Sequence, residues 1–115
     1  MPLLRLETSV SIPDDKRQAL LASLSELVSE TIGKPEQYVM VSVNPATIWM
    51  SGESGPAAFV DVRSVGGLSR ELNRKLSEKV CGILHEHLGI PPDRTYLNFT
   101  DTEAANWGWN GRTFG

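Results

Sequence analysis

Cysteine is nearly absent from the sequence: Cys81 stands alone among 115 residues, so no disulfide can form within the chain. Long apolar runs are absent as well, and without a stretch of about 18 such residues we expect no membrane-spanning helix. The first residues lack the basic segment followed by an apolar one that marks a secretory leader. We therefore expect a cytoplasmic protein without membrane contact, although the sequence leaves open an export without a signal peptide.

An excess of basic residues is also missing. The net charge is -3 and the isoelectric point is about 5.3, whereas proteins that bind nucleic acid usually carry a basic face, so we expect no such partner. We expect no metal site either, because His85 and His87 are two residues apart and would lie on different faces of a helix. Hydrophobic residues make up 40% of the chain, which is typical of a folded protein. One domain over residues 1–115 buries little apolar surface, and oligomerisation commonly compensates for this.

Common catalytic motifs are missing too. There is no G-x-S-x-G elbow, no P-loop, no dinucleotide-binding G-x-G-x-x-G and no zinc pattern. Gly66-Gly67 is interpreted as a turn between a strand and a helix. Cys81 lies in the middle of a predicted helix beside apolar positions, which favours a buried structural thiol over a nucleophile.

What the sequence does contain is an internal repeat, spanning about residues 2–44 and 58–100. An offset of 56 residues aligns apolar positions and the glycine and proline that follow them: Leu20 with Leu76, Leu24 with Val80, Leu27 with Ile83, Val28 with Leu84, Ile32 with Leu88, Gly33 with Gly89 and Pro35 with Pro91. The spacing predicts one amphipathic helix in each half, ending at its glycine. We expect the first helix to begin near Pro13 and the second at Ser69, a favourable N-cap residue.

Strands are predicted on both sides of each helix. Leu4 and Leu6 alternate with polar residues, as do Val60 and Val62 at the same offset, and the segments 38–43 and 95–99 are rich in β-formers. Each half therefore has the order β-α-β. Two such halves predict an α+β fold with a four-stranded mixed sheet and two helices on one face.

The other face of this sheet would lack a cover. If Leu4 and Val60 face the helices, then Arg5 and Asp61 point away, towards water or another subunit. Ile48-Trp49-Met50 and the tail 106–110, with its two tryptophans, add apolar residues that neither helix requires. These pieces either fold back over their own domain or form a subunit interface, and we favour the interface.

Pro2 is the remaining candidate for chemistry. Removal of Met1 would leave a secondary amine at the chain end, and the following residues enter a strand at once, so that the nitrogen would be held rigidly. Many proteins nevertheless begin with Met-Pro and make no use of it, so Pro2 alone is weak support for catalysis.

Several segments together resemble the macrophage migration inhibitory factor family, which belongs to the tautomerases. They are Pro2 at the start of the first strand, Gly33-Lys34-Pro35-Glu36-Gln37-Tyr38, Ser64-Val65-Gly66, Cys81-Gly82, Pro92-Asp93-Arg94-Thr95-Tyr96-Leu97-Asn98 and Ala104-Ala105-Asn106-Trp107-Gly108-Trp109-Asn110. The likeness extends from Pro2 to Phe114 with almost no gaps. It implies a homotrimer with active sites between subunits.

The resemblance also implies an activity, a cofactor-independent keto–enol isomerisation of small aromatic α-keto acids of the phenylpyruvate type or of dopachrome-like compounds. Pro2 would be the catalytic base. The substrate-binding residues would be Lys34, Ser64, Val65, Tyr96, Asn98, Trp109 and Phe114, with Tyr96 and Asn98 supplied by a neighbouring subunit. Without the resemblance, Lys34 would be interpreted as a solvated lysine at a helix end, and Tyr96 and Asn98 as ordinary strand positions.

The sequence departs from the mammalian pattern at several places. Ala57-Ala58-Phe59-Val60 replaces a C-x-x-C pair, so thiol–disulfide chemistry has no basis here, and Trp107 is bulkier than the aliphatic residue common near the pocket mouth. Two other functions remain open: a secreted, cytokine-like protein that binds a host receptor, and a structural trimer without activity.

Overall fold

The computed structural model describes residues 1–115. Four strands form one sheet: β1 (Pro2–Thr8), β2 (Met40–Pro45), β3 (Ala58–Ser64) and β4 (Thr95–Asp101). Their order in the sheet is β2-β1-β3-β4. β1 pairs with β2 and β3 pairs with β4 in parallel, whereas β1 and β3 pair antiparallel in the middle. The predicted mixed sheet of two β-α-β halves is therefore confirmed.

The two helices, α1 (Asp14–Ile32) and α2 (Arg70–Leu88), begin and end where the local signals predict. The Ser69 side chain accepts a hydrogen bond of 3.1 Å from the Leu72 N–H and so caps α2. Gly33 and Gly89 end the helices in the left-handed conformation, with φ of 78° and 67°. Neither helix is long and apolar enough to cross a membrane.

The core lies between the helices and one face of the sheet. It consists of alternate residues of the central strands and of the apolar face of each helix: Leu4, Leu6, Leu20, Leu24, Val28, Ile32, Ala58, Val60, Val62, Leu76, Val80, Leu84 and Ile90. The repeat therefore identified most of the core. Cys81 was expected to be buried, but it is only partly buried, because it lies beside Val80 rather than on the core-facing side. That partial burial still raises the pKa of its thiol.

The opposite face of the sheet is covered by no helix of this chain. It carries ion pairs along the strands, Arg5 with Glu7 at 3.1 Å and Arg63 with Asp61 at 3.0 Å. Large apolar side chains are exposed at several places of the chain, among them Met40, Trp49, Phe59, Tyr96 and Trp109.

Two parts of the chain differ from the predicted strands. β2 begins at Met40 rather than at Tyr38, because residues 36–38 form a single 3-10 turn after the first helix. The tail folds into a hairpin of β5 (Gly108–Trp109) and β6 (Arg112–Thr113), which the sequence analysis did not predict. Its turn residues, Asn110 and Gly111, have φ of 52° and 76°, as a type I′ turn requires.

Candidate functional site

A cavity of about 250 Å³ lies where the starts of β1 and β2 meet the tail hairpin. Most of the side chains around it are apolar, and it is lined by Met1, Pro2, Leu3, Gln37, Tyr38, Val39, Met40, Trp107, Gly108, Trp109 and Phe114. Three parts of the chain that are distant in sequence thus meet at the amino end of β1. A mostly apolar cavity with few polar groups is typical of a small-molecule site.

The aromatic wall of this cavity is held by packing of its own rings. The Trp109 ring stacks on Phe114 with centroids 5.8 Å apart and an interplanar angle of 11°. Tyr38 meets Trp109 edge-on, with centroids 5.8 Å apart at 81°. Both are favoured aromatic arrangements. The Phe114 N–H also donates to the Trp107 carbonyl at 3.2 Å, which fixes the end of the tail against the hairpin.

The amino terminus lies at the cavity. Pro2 is buried and pairs with Ser64 across the two central strands. Met1 precedes it, and burial, followed by the positive charge of Lys34, lowers the pKa of the Met1 amine below its usual value. The Met1 carbonyl accepts a hydrogen bond of 3.4 Å from the Val65 N–H. The Met1 amine therefore loses its proton more readily than an exposed terminal amine does.

Lys34 is positioned by the end of α1. Its N–H donates to the Ser29 carbonyl at 3.2 Å, and its own carbonyl accepts from the Ser29 hydroxyl at 2.6 Å. Gly67 passes close by: a Cβ at this position would lie 2.8 Å from Ile32 Cγ2 and 3.5 Å from Lys34 Cε. Gly67 also has a φ of 81°, so only glycine lets the loop after β3 approach the end of α1.

The loop after β3 is fixed by three hydrogen bonds. The Ser64 hydroxyl donates to the Gly66 carbonyl at 2.6 Å, and the Gly66 N–H donates to Asp101 Oδ1 at 3.0 Å. The Ser64 carbonyl accepts from the Thr102 N–H at 2.8 Å. The Ser64 hydroxyl therefore uses its proton within the loop. Its contacts fix the backbone on either side of Val65.

Tyr96 and Asn98 do not lie at this cavity. Both are exposed on β4, on the face of the sheet that has no helices, and Tyr96 pairs with Phe59 rather than with any residue at the start of β1. Of the predicted site residues, Pro2, Trp109 and Phe114 line this cavity. Lys34 and Val65 do not line it and are linked to it through Met1, by the charge that Lys34 exerts on the Met1 amine and by the hydrogen bond from the Val65 N–H.

Several lining residues were not assigned to the site by the sequence analysis, namely Leu3, Gln37, Tyr38, Val39 and Met40. For two of them the sequence held a signal: Gln37 and Tyr38 belong to the same segment as Lys34, one of those that carry the resemblance. The 3-10 turn of residues 36–38 brings Tyr38 against Trp109.

A larger cavity, about 500 Å³, lies at the opposite end of the sheet and is a weaker candidate. Its charged side chain is Arg17, which already donates to Asp14 at 2.7 Å and to the Ile12 carbonyl at 3.0 Å. No cluster of three or more His, Cys, Asp or Glu side chains is placed to hold a metal ion anywhere in the chain. The smaller cavity differs from the larger one in having the chain's terminal amine in its lining, with a pKa lowered by burial and by Lys34, and this makes it the stronger candidate.

Comparison with known proteins gives one consistent family. A family model described as "Macrophage migration inhibitory factor (MIF)" matches residues 1–115. The macrophage migration inhibitory factor of Meriones unguiculatus is 40% identical over 118 aligned positions, with 99% of each chain covered. A homolog from Trichuris trichiura is 39% identical, covering 99% of this chain and 100% of that protein. The crystal structure of a homologue from Prochlorococcus marinus has a TM-score of 0.93 and 42% identity, covering 98% of this chain and 99% of that one.

Proposed function

Because the chain belongs to the macrophage migration inhibitory factor family, we propose that it is a keto–enol tautomerase whose base is the nitrogen of Pro2 after removal of Met1. The proposed substrates are small aromatic α-keto acids of the phenylpyruvate type, or dopachrome-like compounds. The family belongs to the tautomerase superfamily, and the resemblance noted in the sequence supports the substrate class.

The observation that carries this proposal is the position of Pro2, which is buried in the lining of the cavity directly after an amine whose pKa is lowered. Burial and the charge of Lys34 act on the Met1 amine, and we expect the same two causes to lower the pKa of the Pro2 amine once Met1 is gone. Pro2 is the more buried residue of the two. A base accepts protons most usefully when its pKa lies near the working pH.

The reaction moves one proton and leaves the composition of the substrate unchanged. The Pro2 nitrogen takes a proton from the carbon next to the carbonyl, the electrons of that C–H bond form a C=C bond, and the carbonyl electrons move onto oxygen. Protonated Pro2 or water then returns a proton to that oxygen. Lys34 and the Val65 N–H stabilise the negative charge that develops on oxygen. Trp109 and Phe114 hold the aromatic end of the substrate.

No cofactor takes part in this scheme, since an amine, a cation and an N–H suffice for the proton transfer. We propose further that the enzyme is a homotrimer, in which Tyr96 and Asn98 of one chain complete the cavity of the next. Their exposure on the uncovered face of the sheet supports this, because in a single chain they face solvent.

The state of the amino terminus provides the test. With Met1 attached, the Pro2 nitrogen is a tertiary amide without basicity, so Met1-bearing protein should be folded and nearly inactive on hydroxyphenylpyruvate, whereas processed protein should be active. Pro2→Gly should fold and lose much of the rate, because a looser primary amine replaces the rigid secondary one. Full activity in protein shown by mass spectrometry to retain Met1 would remove Pro2 from the mechanism.

A second candidate function is receptor binding by a secreted, cytokine-like protein. The relatives from Meriones unguiculatus and Trichuris trichiura favour it, because both are named after macrophage migration inhibitory factor and each alignment covers 99% of this chain. A binding assay with the receptor ectodomains of a host, in parallel for wild type and Pro2→Gly, separates the two functions. Binding that survives Pro2→Gly would show signalling independent of the base.

A further inference from the structure

Arg94 lies outside the proposed site, and its side chain holds a distant loop. It belongs to a 3-10 turn directly before β4, and only 11% of the side chain is exposed. Its Nε donates to the Pro56 carbonyl at 2.8 Å, Nη1 to the Met50 carbonyl at 3.0 Å and Nη2 to the Glu53 carbonyl at 3.3 Å. The Glu53 carboxylate is 3.4 Å from Nη1 and largely exposed. Arg94 thus binds mainly backbone carbonyls, and its forked guanidinium spans three residues that are not adjacent.

The segment that Arg94 holds is a tight hairpin. Met50 and Glu53 exchange two backbone hydrogen bonds, of 3.0 and 3.1 Å. Ser51 and Gly52 between them have φ of 56° and 73°, which is the type I′ conformation. Trp49 stands directly before this hairpin with 73% of its surface exposed. An exposed tryptophan on a fixed segment is typical of an interface anchor.

The same arginine is rigidly connected to β4. The next residue, Thr95, is buried, pairs with Ala58, and its hydroxyl donates to the Pro91 carbonyl at 3.2 Å. Tyr96 follows and projects from the uncovered face with 67% of its surface exposed. Arg94 therefore joins the segment carrying Trp49 and the strand start carrying Tyr96 into one unit.

We propose that Arg94 is a positioning residue, which sets Trp49 for docking on a second copy of this chain and, through the start of β4, sets Tyr96 for the cavity of a neighbouring copy. This inference rests on the proposed function for the role of Tyr96. A second copy is the fitting partner because it offers the two features that one chain leaves unsatisfied: an uncovered sheet face with exposed Phe59, and a cavity that lacks Tyr96.

The test compares Arg94→Gln and Arg94→Lys with Arg74→Gln, an exposed arginine of α2 whose side chain has no hydrogen-bond partner. In hydrogen exchange, the Met50 and Glu53 amides should exchange about tenfold faster or more in both Arg94 variants, while the helix amides are unchanged, since the hairpin opens locally. Arg94→Lys should not restore slow exchange, because one ammonium group cannot span the three carbonyls.

In both Arg94 variants, the concentration at which the assembly dissociates should rise by about tenfold or more. Arg74→Gln should match the wild type in both measurements.

Kinetics of the processed, assembled enzyme add a readout that a merely stabilising residue would not change. KM should rise by about fivefold or more while kcat changes less than about twofold, because Pro2 and Lys34 are untouched. Faster exchange spread evenly over the helices, or an unchanged dissociation concentration, would overturn the proposal, as would a monomeric wild type. An inactive wild type would instead refute the proposed function, because exchange and dissociation are measured without substrate.

Discussion

Replacing Lys34 by alanine in the processed protein should change both the strength and the pH dependence of catalysis. Lys34 supplies the second cause that lowers the pKa of the terminal amine, after burial. The variant loses that positive charge, so the pKa of the amine should rise part of the way back to its ordinary value. Because the base works only when deprotonated, the rise of rate with pH should move to higher pH.

The expected loss of rate follows from the substrate contact proposed for Lys34. A hydrogen bond to a charged group contributes about 1.5–3 kcal/mol, so kcat/KM should fall by about ten- to 150-fold. The fold should persist, since the backbone of Lys34 is held by Ser29 and not by its own side chain. Circular dichroism and the melting temperature should therefore match the wild type.

The assay is a pH profile of kcat/KM on hydroxyphenylpyruvate with two controls. Lys34→Arg keeps the charge and should keep the pH midpoint close to that of the wild type. Lys79→Ala removes an exposed lysine of α2 and should leave both rate and midpoint unchanged. A folded Lys34→Ala with wild-type kcat/KM and midpoint would return Lys34 to a solvated lysine at a helix end.

Three further predictions concern assembly, the thiol and stability. Light scattering after size exclusion should give three times the chain mass of 12.6 kDa, and a stable monomer at micromolar concentration would contradict the shared site. The protein should not reduce model disulfides, because Ala57 and Val60 leave no thiol pair; disulfide reduction that is lost in Cys81→Ser would contradict this. The single thiol should react slowly with iodoacetamide at pH 7, since burial raises the pKa of Cys81. Ser69→Ala should lower the free energy of unfolding by about 1 kcal/mol through loss of the helix cap, as measured by urea denaturation, and an unchanged midpoint would show that the cap is dispensable.

Helix ends were predictable because their signals are local. A glycine that must adopt positive φ, a serine cap and a proline before the first turn each act within a few residues, so Ser69, Gly33 and Gly89 determine the ends without tertiary contacts. The helix residues of the core were predictable because apolar residues recur along each helix with the 3.6-residue period. The same pattern occurs in both halves of the chain.

The short hairpins were missed although a signal was present. Asn110-Gly111 is a strong type I′ pair, but strands of two residues have too little alternation to be recognised from sequence. The start of β2 was misplaced for a different reason. Tyr38 is a β-former by composition, yet it closes a 3-10 turn and packs against Trp109 of the tail, a contact that the sequence around it does not contain.

The candidate site was assigned only with the help of the resemblance. Composition and periodicity place Lys34 at a helix end and Val65 after a strand, and nothing local says that both lie near the same amine. The antiparallel pairing of Pro2 with Ser64 does this, and it depends on the register of the whole sheet. The roles of Tyr96 and Asn98 depend on a second chain and stay predictions.

The antiparallel pairing of β1 and β3 relates the two halves of the sheet by an approximate two-fold rotation. Rotation about the Arg5–Asp61 pair exchanges Pro2 with Ala58 and Thr8 with Ser64. The two ends are unequal in one chemical respect: β3 is entered through the loop 46–57, so the nitrogen of Ala58 is an amide. After removal of Met1, the proposed base would therefore exist at the start of β1 and have no counterpart at the start of β3. A circular permutant that begins at Ala58 would reverse this assignment.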